Sequence, residues 1–317
     1  MPSIKGLELS RAYFEECGEP MLKNDFPDLI PYLCCGLFGS GSECFGFDDE
    51  ISRDHDFEPG FCIFLPDESI VDRKQAFRLE RAYAGLPKEF RGFRRSVMQP
   101  VGGARHGVIR ISEFFYDRIG MRSGIPEEPD GWLYVPEQSL AECTNGEIYF
   151  DNYGTVTKLR NDLSYLPEDV RKKKLAAQLL LMAQSGQYNY PRCLKHGETA
   201  AAQLAVCEFV KSTISAIFLL NRTYQPYYKW CFRALRSLPL LSMSAELLEY
   251  LLVSDNGPDQ AREKSAVIEG LASDVIVELL GQDLSSASCG DLEKHAYSVN
   301  DRIEDAELRN RHILAAL

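Results

Sequence analysis

The stretch "YLCCGLFGSGSECFGFDDEISRDHDFEPGFCIFL", residues 32 to 65, decides how the fold is read. Its first part, "YLCCGLF", is a short run of apolar and small residues with the length and composition of a buried strand. Gly39 to Ser42 then form the turn that leaves the strand's end. Glycine and serine expose backbone N–H groups and hydroxyls without bulky side chains, so a polyphosphate can approach closely. Two familiar phosphate loops are excluded: no Lys-Ser/Thr pair follows the glycines, and Cys44 occupies the last glycine position of a dinucleotide fingerprint. Glu43 also stands where a hydrolase nucleophile elbow needs its closing glycine.

Downstream, Asp54 and Asp56 are separated by His55 and followed by "FCIFL". On an extended chain residues i and i+2 share a face, which predicts both carboxylates side by side at the start of a second strand. Like charges that close repel, and a hard divalent cation such as Mg2+ lets both stay ionised. An Asp-x-Asp taken alone reads as a polar turn capping backbone N–H groups. The Gly-Ser turn upstream favours the other reading, a triphosphate held first and a metal next. His55 would point to the opposite strand face, where it supports packing.

Outward from this stretch, the runs "GFCIFL", "GVIRIS" and "GEIYFDN" predict strands, and "RKQAFRLERAYAGLP" predicts a helix stopped by Gly85 and Pro87. From Pro167 onward strand signals fade and long amphipathic patterns succeed one another, including "PEDVRKKKLAAQLLLMAQSG" and "TAAAQLAVCEFVKSTISAIFLLN". A further helix is expected to start at Pro258 and end at Gly281. The fold class is therefore α+β: an N-terminal α/β core with a short mixed sheet over residues 1–162, and a C-terminal helical bundle over 163–317.

At 317 residues the chain exceeds the usual size of one domain. Its 45% apolar and 26% charged residues match an ordinary folding protein and not a disordered one. A formal net charge of -12 argues against an extended polyanionic partner, which needs a surplus of Lys and Arg. The basic runs "FRGFRRS" and "RKKKLAAQ" read as solvated faces. The early acidic residues and the short apolar run "ISAIFLLN" predict a cytoplasmic protein with no membrane span. Ten cysteines without C-x-x-C spacing read as buried thiols, and five dispersed histidines show no zinc-like spacing.

The segment "GSECFGFDDEISRDHD" resembles the signature of the polymerase β-like nucleotidyltransferase superfamily, and most nearly that of bacterial small-molecule nucleotidyltransferases of the aminoglycoside-modifying kind. Gly41 and Ser42 match the Gly-Ser pair, Gly46 the following glycine, Ser52 the serine before the acids, and Asp54 and Asp56 the metal-binding carboxylates. The connection is one residue longer here, and Arg53 and His55 flank the acids. "SRDHDFEPGFCIFL", "GEIYFDNYGTV" and "LLNRTYQPYYKW" resemble a bacterial branch of unassigned function that joins a helical domain to the transferase core. The resemblance implies a third carboxylate on a later strand, but "GVIRISEFF" places Arg110 there. Glu113 is the expected substitute from the strand end, with Asp151 more distant.

What the resemblance implies is a metal-dependent transfer of a nucleoside monophosphate, AMP from ATP, to an acceptor hydroxyl of a small molecule. Asp54 and Asp56 would hold Mg2+; Gly41, Ser42 and Ser52 would hold the nucleotide. Asn221, Tyr224 and Lys229, in "NRTYQPYYKW", are expected at an inter-helix corner, either as an aromatic core or with Lys229 contacting phosphate as a point charge. The rival expectation is a protein of the same fold that binds nucleotide or a protein partner without catalysis.

Overall fold

A computed structural model describes residues 4–51, 57–95 and 105–317. Its strands are β1 (Cys34–Leu37), β2 (Cys62–Leu65), β3 (Glu89–Phe90), β4 (Phe93–Arg94), β5 (Gly107–Arg110) and β6 (Glu147–Asp151). The earlier helices are α1 (Gly6–Tyr13), α2 (Glu19–Asp25), α3 (Arg73–Gly85), α4 (Ile111–Ile119), α5 (Pro129–Tyr134), α6 (Glu137–Thr144) and α7 (Thr155–Asp162). The later ones are α8 (Glu168–Met182), α9 (Tyr190–Lys195), α10 (Thr199–Leu220), α11 (Tyr228–Leu235), α12 (Ser244–Val253), α13 (Pro258–Gly281), α14 (Leu292–Asp301) and α15 (Ala306–Asn310). The chain divides into two compact units, Met1–Pro126 with Pro136–Ser164, and Glu127–Val135 with Tyr165–Leu317. The architecture is α+β, with every strand in the first unit.

The first unit is built on a four-stranded mixed sheet of order β5-β2-β1-β6. β1 runs antiparallel to β2 and β6, and β2 runs parallel to β5. Parallel neighbours need a crossover. The segment between β2 and β5 supplies it and carries α3. Asp72 starts α3 with a reciprocal cap: its side chain accepts from the Gln75 N–H at 2.8 Å, and the Gln75 side chain accepts from the Asp72 N–H at 2.9 Å. Alternation along β2 sends Ile63 and Leu65 to one face of the sheet and Phe64 to the other. On the first face Phe61 meets Phe14 and Tyr83 edge to face. On the second, Phe64 stacks on Phe38 with ring centroids 4.5 Å apart, and Phe114 meets both rings.

The second strand differs from the one expected. It begins at Cys62, not at the aspartates. Pro59 has no N–H for a ladder, and the Tyr83 hydroxyl accepts from the Phe61 N–H at 3.1 Å, while the Phe61 carbonyl accepts from both the Tyr83 hydroxyl at 2.8 Å and the Gly107 N–H at 2.9 Å. Asp54, Asp56, Ser52, Arg53 and His55 lie outside the described residues. "GVIRIS" also ends earlier than its apolar alternation suggests. β5 stops at Arg110 and α4 starts at Ile111, because Ile111, Phe114, Phe115 and Ile119 repeat at helical spacing and bury together, and Gly120 closes the helix in the left-handed region.

The second unit is helical throughout among the described residues, with α10 and α14 packed on α8. Two expectations change here. The run "RKKK" is not a solvated face: Arg171 and Lys173 are fully buried, and the Lys173 ammonium donates to Asn300 Oδ1 at 2.8 Å and the Arg311 carbonyl at 2.8 Å. α10 spans Thr199–Leu220, the full pattern read from the sequence, so its apolar stretch is longer than the run "ISAIFLLN", which by itself is too short for a membrane. By length and composition alone it could cross a bilayer, yet 61% of its most apolar stretch is buried within the unit, as in the central helix of a bundle. α13 starts at Pro258 and ends at Gly281, as its sequence signals indicate.

Candidate functional site

β1 delivers the chain into the turn that starts at Gly39, and the turn folds back on itself. The N–H groups of Phe45 and Phe47 donate to the Ser42 carbonyl, at 3.3 and 2.8 Å, and that of Gly46 donates to the Glu43 carbonyl at 3.1 Å. Further contacts fix its path. The side-chain amide of Asn145 accepts from the Gly39 N–H and donates to the Gly39 carbonyl, both at 2.8 Å. The Arg105 guanidinium donates to the Ser40 carbonyl at 3.0 Å and forms a close ion pair with Glu43. Gly41 has φ of 127°, which a side-chain-bearing residue rarely adopts, and the Arg105 guanidinium lies where a Cβ would be. A side chain at this position is strained by the backbone and displaces the guanidinium.

These contacts leave the donors of the turn's outer edge uncommitted. Among the described residues, no acceptor meets the N–H groups of Ser40, Gly41 or Ser42, or either serine hydroxyl. Ser40 is exposed, and Gly41 and Ser42 are half-buried. Successive free N–H groups on small residues are the kind of donor set that binds an anion, and side chains of Arg105 and Arg118 lie where Cβ atoms of Gly41 and Gly39 would be. This donor chemistry fits a phosphate chain.

A second arginine borders the turn. Arg118, on α4, lies over the Phe114 ring at 3.7 Å, and its Nη1 donates to the Phe114 carbonyl at 3.1 Å. Its Nη2 stands 2.7 Å from the Cβ position of Gly39, and its Nε lies 3.6 Å from the Glu142 carboxylate. Burial pushes the Glu142 carboxyl above its ordinary range, against the pull of Arg118 and then Arg105. Beneath the turn, burial raises the thiols of Cys44 and Cys62, the latter to about 12. Neither is a nucleophile at neutral pH.

Gly41 and Ser42 are thus where the sequence places them, on the turn after β1. Glu113 is on the first turn of α4, not at a strand end, and pairs with Arg122 in an exposed contact. Arg110 closes β5 and donates to the Pro66 carbonyl at 2.6 Å. Asp151 is a helix cap: its carboxylate accepts from the N–H groups of Gly154 at 2.9 Å and Thr157 at 2.7 Å, at the start of α7. In the second unit, Lys229 is exposed on α11 with its ammonium 4.9 Å from the Trp230 ring centroid. Asn221 there latches the corner, donating to the Leu240 carbonyl at 3.0 Å and accepting from the Leu240 N–H at 2.9 Å, while Tyr224 is buried against Tyr165. That corner is a packed one. Among the described residues, no group of three His, Cys, Asp or Glu side chains is placed to hold a metal.

Arg105, Arg118, Glu142 and Asn145 were not singled out by the sequence. The one available signal was the Asn-Gly dipeptide at 145, which marks a turn before β6 without naming its partner.

Residues 132–231 match the family described as a domain of unknown function, DUF4037. No curated protein matches the chain. Among solved structures, the chain is similar to a nucleotidyltransferase-like protein from Exiguobacterium sibiricum 255-15, with 11% identity and a TM-score of 0.39 over 83% of this chain and 76% of that one.

Proposed function

We propose that the protein is a metal-dependent nucleotidyltransferase that moves a nucleoside monophosphate, AMP from ATP, to a hydroxyl of a small-molecule acceptor. The observation that carries this reading is the turn after β1. Its uncommitted N–H groups and hydroxyls at Ser40, Gly41 and Ser42 fit a triphosphate, and two guanidinium groups lie against its glycines. The D-x-D pair follows in sequence, with a connection one residue longer than in the nucleotidyltransferase signature it resembles. Asp54 and Asp56 would hold Mg2+, which when bound neutralises charge on the phosphates and aligns the entering and leaving oxygens. In this reading the turn orients the triphosphate, Ser52 adds a hydroxyl to the nucleotide, and Glu113 supplies the third carboxylate by giving up its exposed pair with Arg122. Such an exposed, solvent-screened pair contributes little to stability, so its loss is tolerable.

The helical unit is assigned to the acceptor, and Lys229 to phosphate contact. The net charge of -12 favours a cationic small molecule over nucleic acid. A cytoplasmic location belongs to the same proposal.

The test is release of pyrophosphate on incubation with Mg2+ and each nucleoside triphosphate. Release by the wild type that disappears in Asp54→Asn supports the reading, and a gain of one nucleotidyl unit in mass on a small molecule identifies the acceptor class. A second reading, a nucleotide-binding protein of this fold without catalysis, is favoured by Arg110 at the strand position where an acid is expected. It predicts thermal stabilisation by nucleotide with no pyrophosphate in any condition.

A further inference from the structure

Two arginines border the turn, and they are differently committed. Arg105 is engaged by the Ser40 carbonyl and by Glu43, so its charge is largely matched. Arg118 has donors to spare. Its position is fixed by the Phe114 ring and carbonyl, yet its buried Nε makes no hydrogen bond, and no acceptor among the described residues meets its Nη2. That Nη2 lies against Gly39, next to the free N–H groups of Ser40 and Gly41.

Its ion-pair partner among the described residues is a poor match. The Glu142 carboxylate stands 3.6 Å from Nε, beyond hydrogen-bonding distance, and burial disfavours its ionised form. A half-buried guanidinium with free donors and a loosely set counter-charge is suited to exchange that partner for a better one, and phosphate oxygens accept bidentate bonds from arginine.

We infer that Arg118 is a specificity-determining residue that binds a non-transferred phosphate of the nucleoside triphosphate seated on the Gly39–Ser42 turn, and that Glu142 holds its place until nucleotide arrives. This inference rests on the nucleotidyltransferase reading of the same site. It assigns the preference for triphosphate over monophosphate to one side chain on α4.

The experiment is calorimetric titration of the full chain with α,β-methylene-ATP and with AMP, both in Mg2+, for wild type, Arg118→Ala, Arg118→Lys and Glu142→Gln. Thermal unfolding confirms that each variant is folded. Loss of one charge-assisted contact predicts that Arg118→Ala weakens triphosphate binding about 10- to 100-fold while AMP changes less than about twofold. Arg118→Lys recovers part of the loss, and Glu142→Gln tightens triphosphate binding severalfold by freeing the guanidinium. A merely structural arginine would shift both nucleotides together. Should Arg118→Ala fail to fold, the Lys and Gln variants decide. Wild-type binding that is unchanged in the variants, or weakened equally for both nucleotides, overturns this inference and leaves the proposed function standing. A wild type that binds no triphosphate overturns the proposed function, and the inference with it.

Discussion

The side chain of Asn145 forms a two-way clamp on the peptide of Gly39, accepting from its N–H and donating to its carbonyl at 2.8 Å each, across 106 positions of sequence. The clamp sets the direction in which the chain leaves β1, and through it the position of the Gly39–Ser42 turn. Asn145→Ala removes both bonds at once. The expected cost is about 1–3 kcal/mol of stability, read by denaturant unfolding. Triphosphate affinity should fall as well, because Ser40 and Gly41 lose their anchor. Asn145→Asp keeps the acceptor but loses the donor, so it should lie between the two. An alanine variant with unchanged unfolding and unchanged binding would show that the turn holds itself.

Gly41→Ala should be severe for the site. The φ of 127° costs an L-residue about 1–3 kcal/mol, and the added methyl meets the Arg105 guanidinium. Arg105 must then release Glu43 or the Ser40 carbonyl. Pyrophosphate release is expected to fall more than about tenfold, with a lower unfolding midpoint. Double substitution with Arg105→Ala tests the steric part, since removal of the guanidinium should restore some of the stability that the methyl takes away.

The buried thiols of the first unit should be inert in the native protein. Cys34, Cys35, Cys44, Cys62 and Cys143 are buried, and burial pushes each thiol up, to about 12 for Cys62 and Cys143. Cys289 is exposed. Alkylation with iodoacetamide at pH 8, read by peptide mass spectrometry, should label Cys289 within minutes and these five cysteines only after unfolding. Rapid labelling of Cys62 would mean that the region under the turn opens readily.

The helical unit should lose stability in acid through Asp169. Its carboxyl is partly buried, which raises its pKa, but N–H donors from Asp305 and Glu304 and the Lys172 ammonium outweigh burial and hold it below the ordinary value of 3.8. A depressed carboxyl contributes fully above its unfolded value, and that contribution is lost as pH falls through the ordinary value toward the folded one. Unfolding midpoints measured from about pH 6 to pH 3 should fall less steeply for Asp169→Asn than for wild type. Parallel curves would remove Asp169 from the account.

Asp151→Ala should separate structure from chemistry. The residue caps α7, so its loss costs about 1 kcal/mol in thermal or chemical unfolding. Pyrophosphate release should be unaffected. A large loss of release with normal stability would instead make Asp151 part of the reacting centre.

Much of the first unit was legible because strands declare themselves locally. "FCIFL" and "EIYFD" are β-rich runs bounded by turn residues, and the Gly-Ser turn follows from composition alone. Glu113 was placed at a strand end because "GVIRIS" alternates too. The helix that takes over at Ile111 is announced only by Phe114, Arg118 and Ile119 farther on. Arg105 was hidden for a different reason. Its partner is a carbonyl 65 residues away, and no residue type signals that a guanidinium will replace a missing Cβ. The burial of Lys173 is of the same kind, since its acceptors are the Asn300 side chain and the backbone carbonyls of Arg309 and Arg311, all distant in sequence.

The path of the chain has a practical meaning for dissection. Residues 127–135 leave the sheet-bearing unit, donate α5 to the helices, and return before α6. A fragment cloned from residue 165 would therefore be born without Trp132 and Leu133, both buried side chains, and removal of such a tryptophan alone costs about 3–5 kcal/mol. The helices cannot be harvested intact with a single cut.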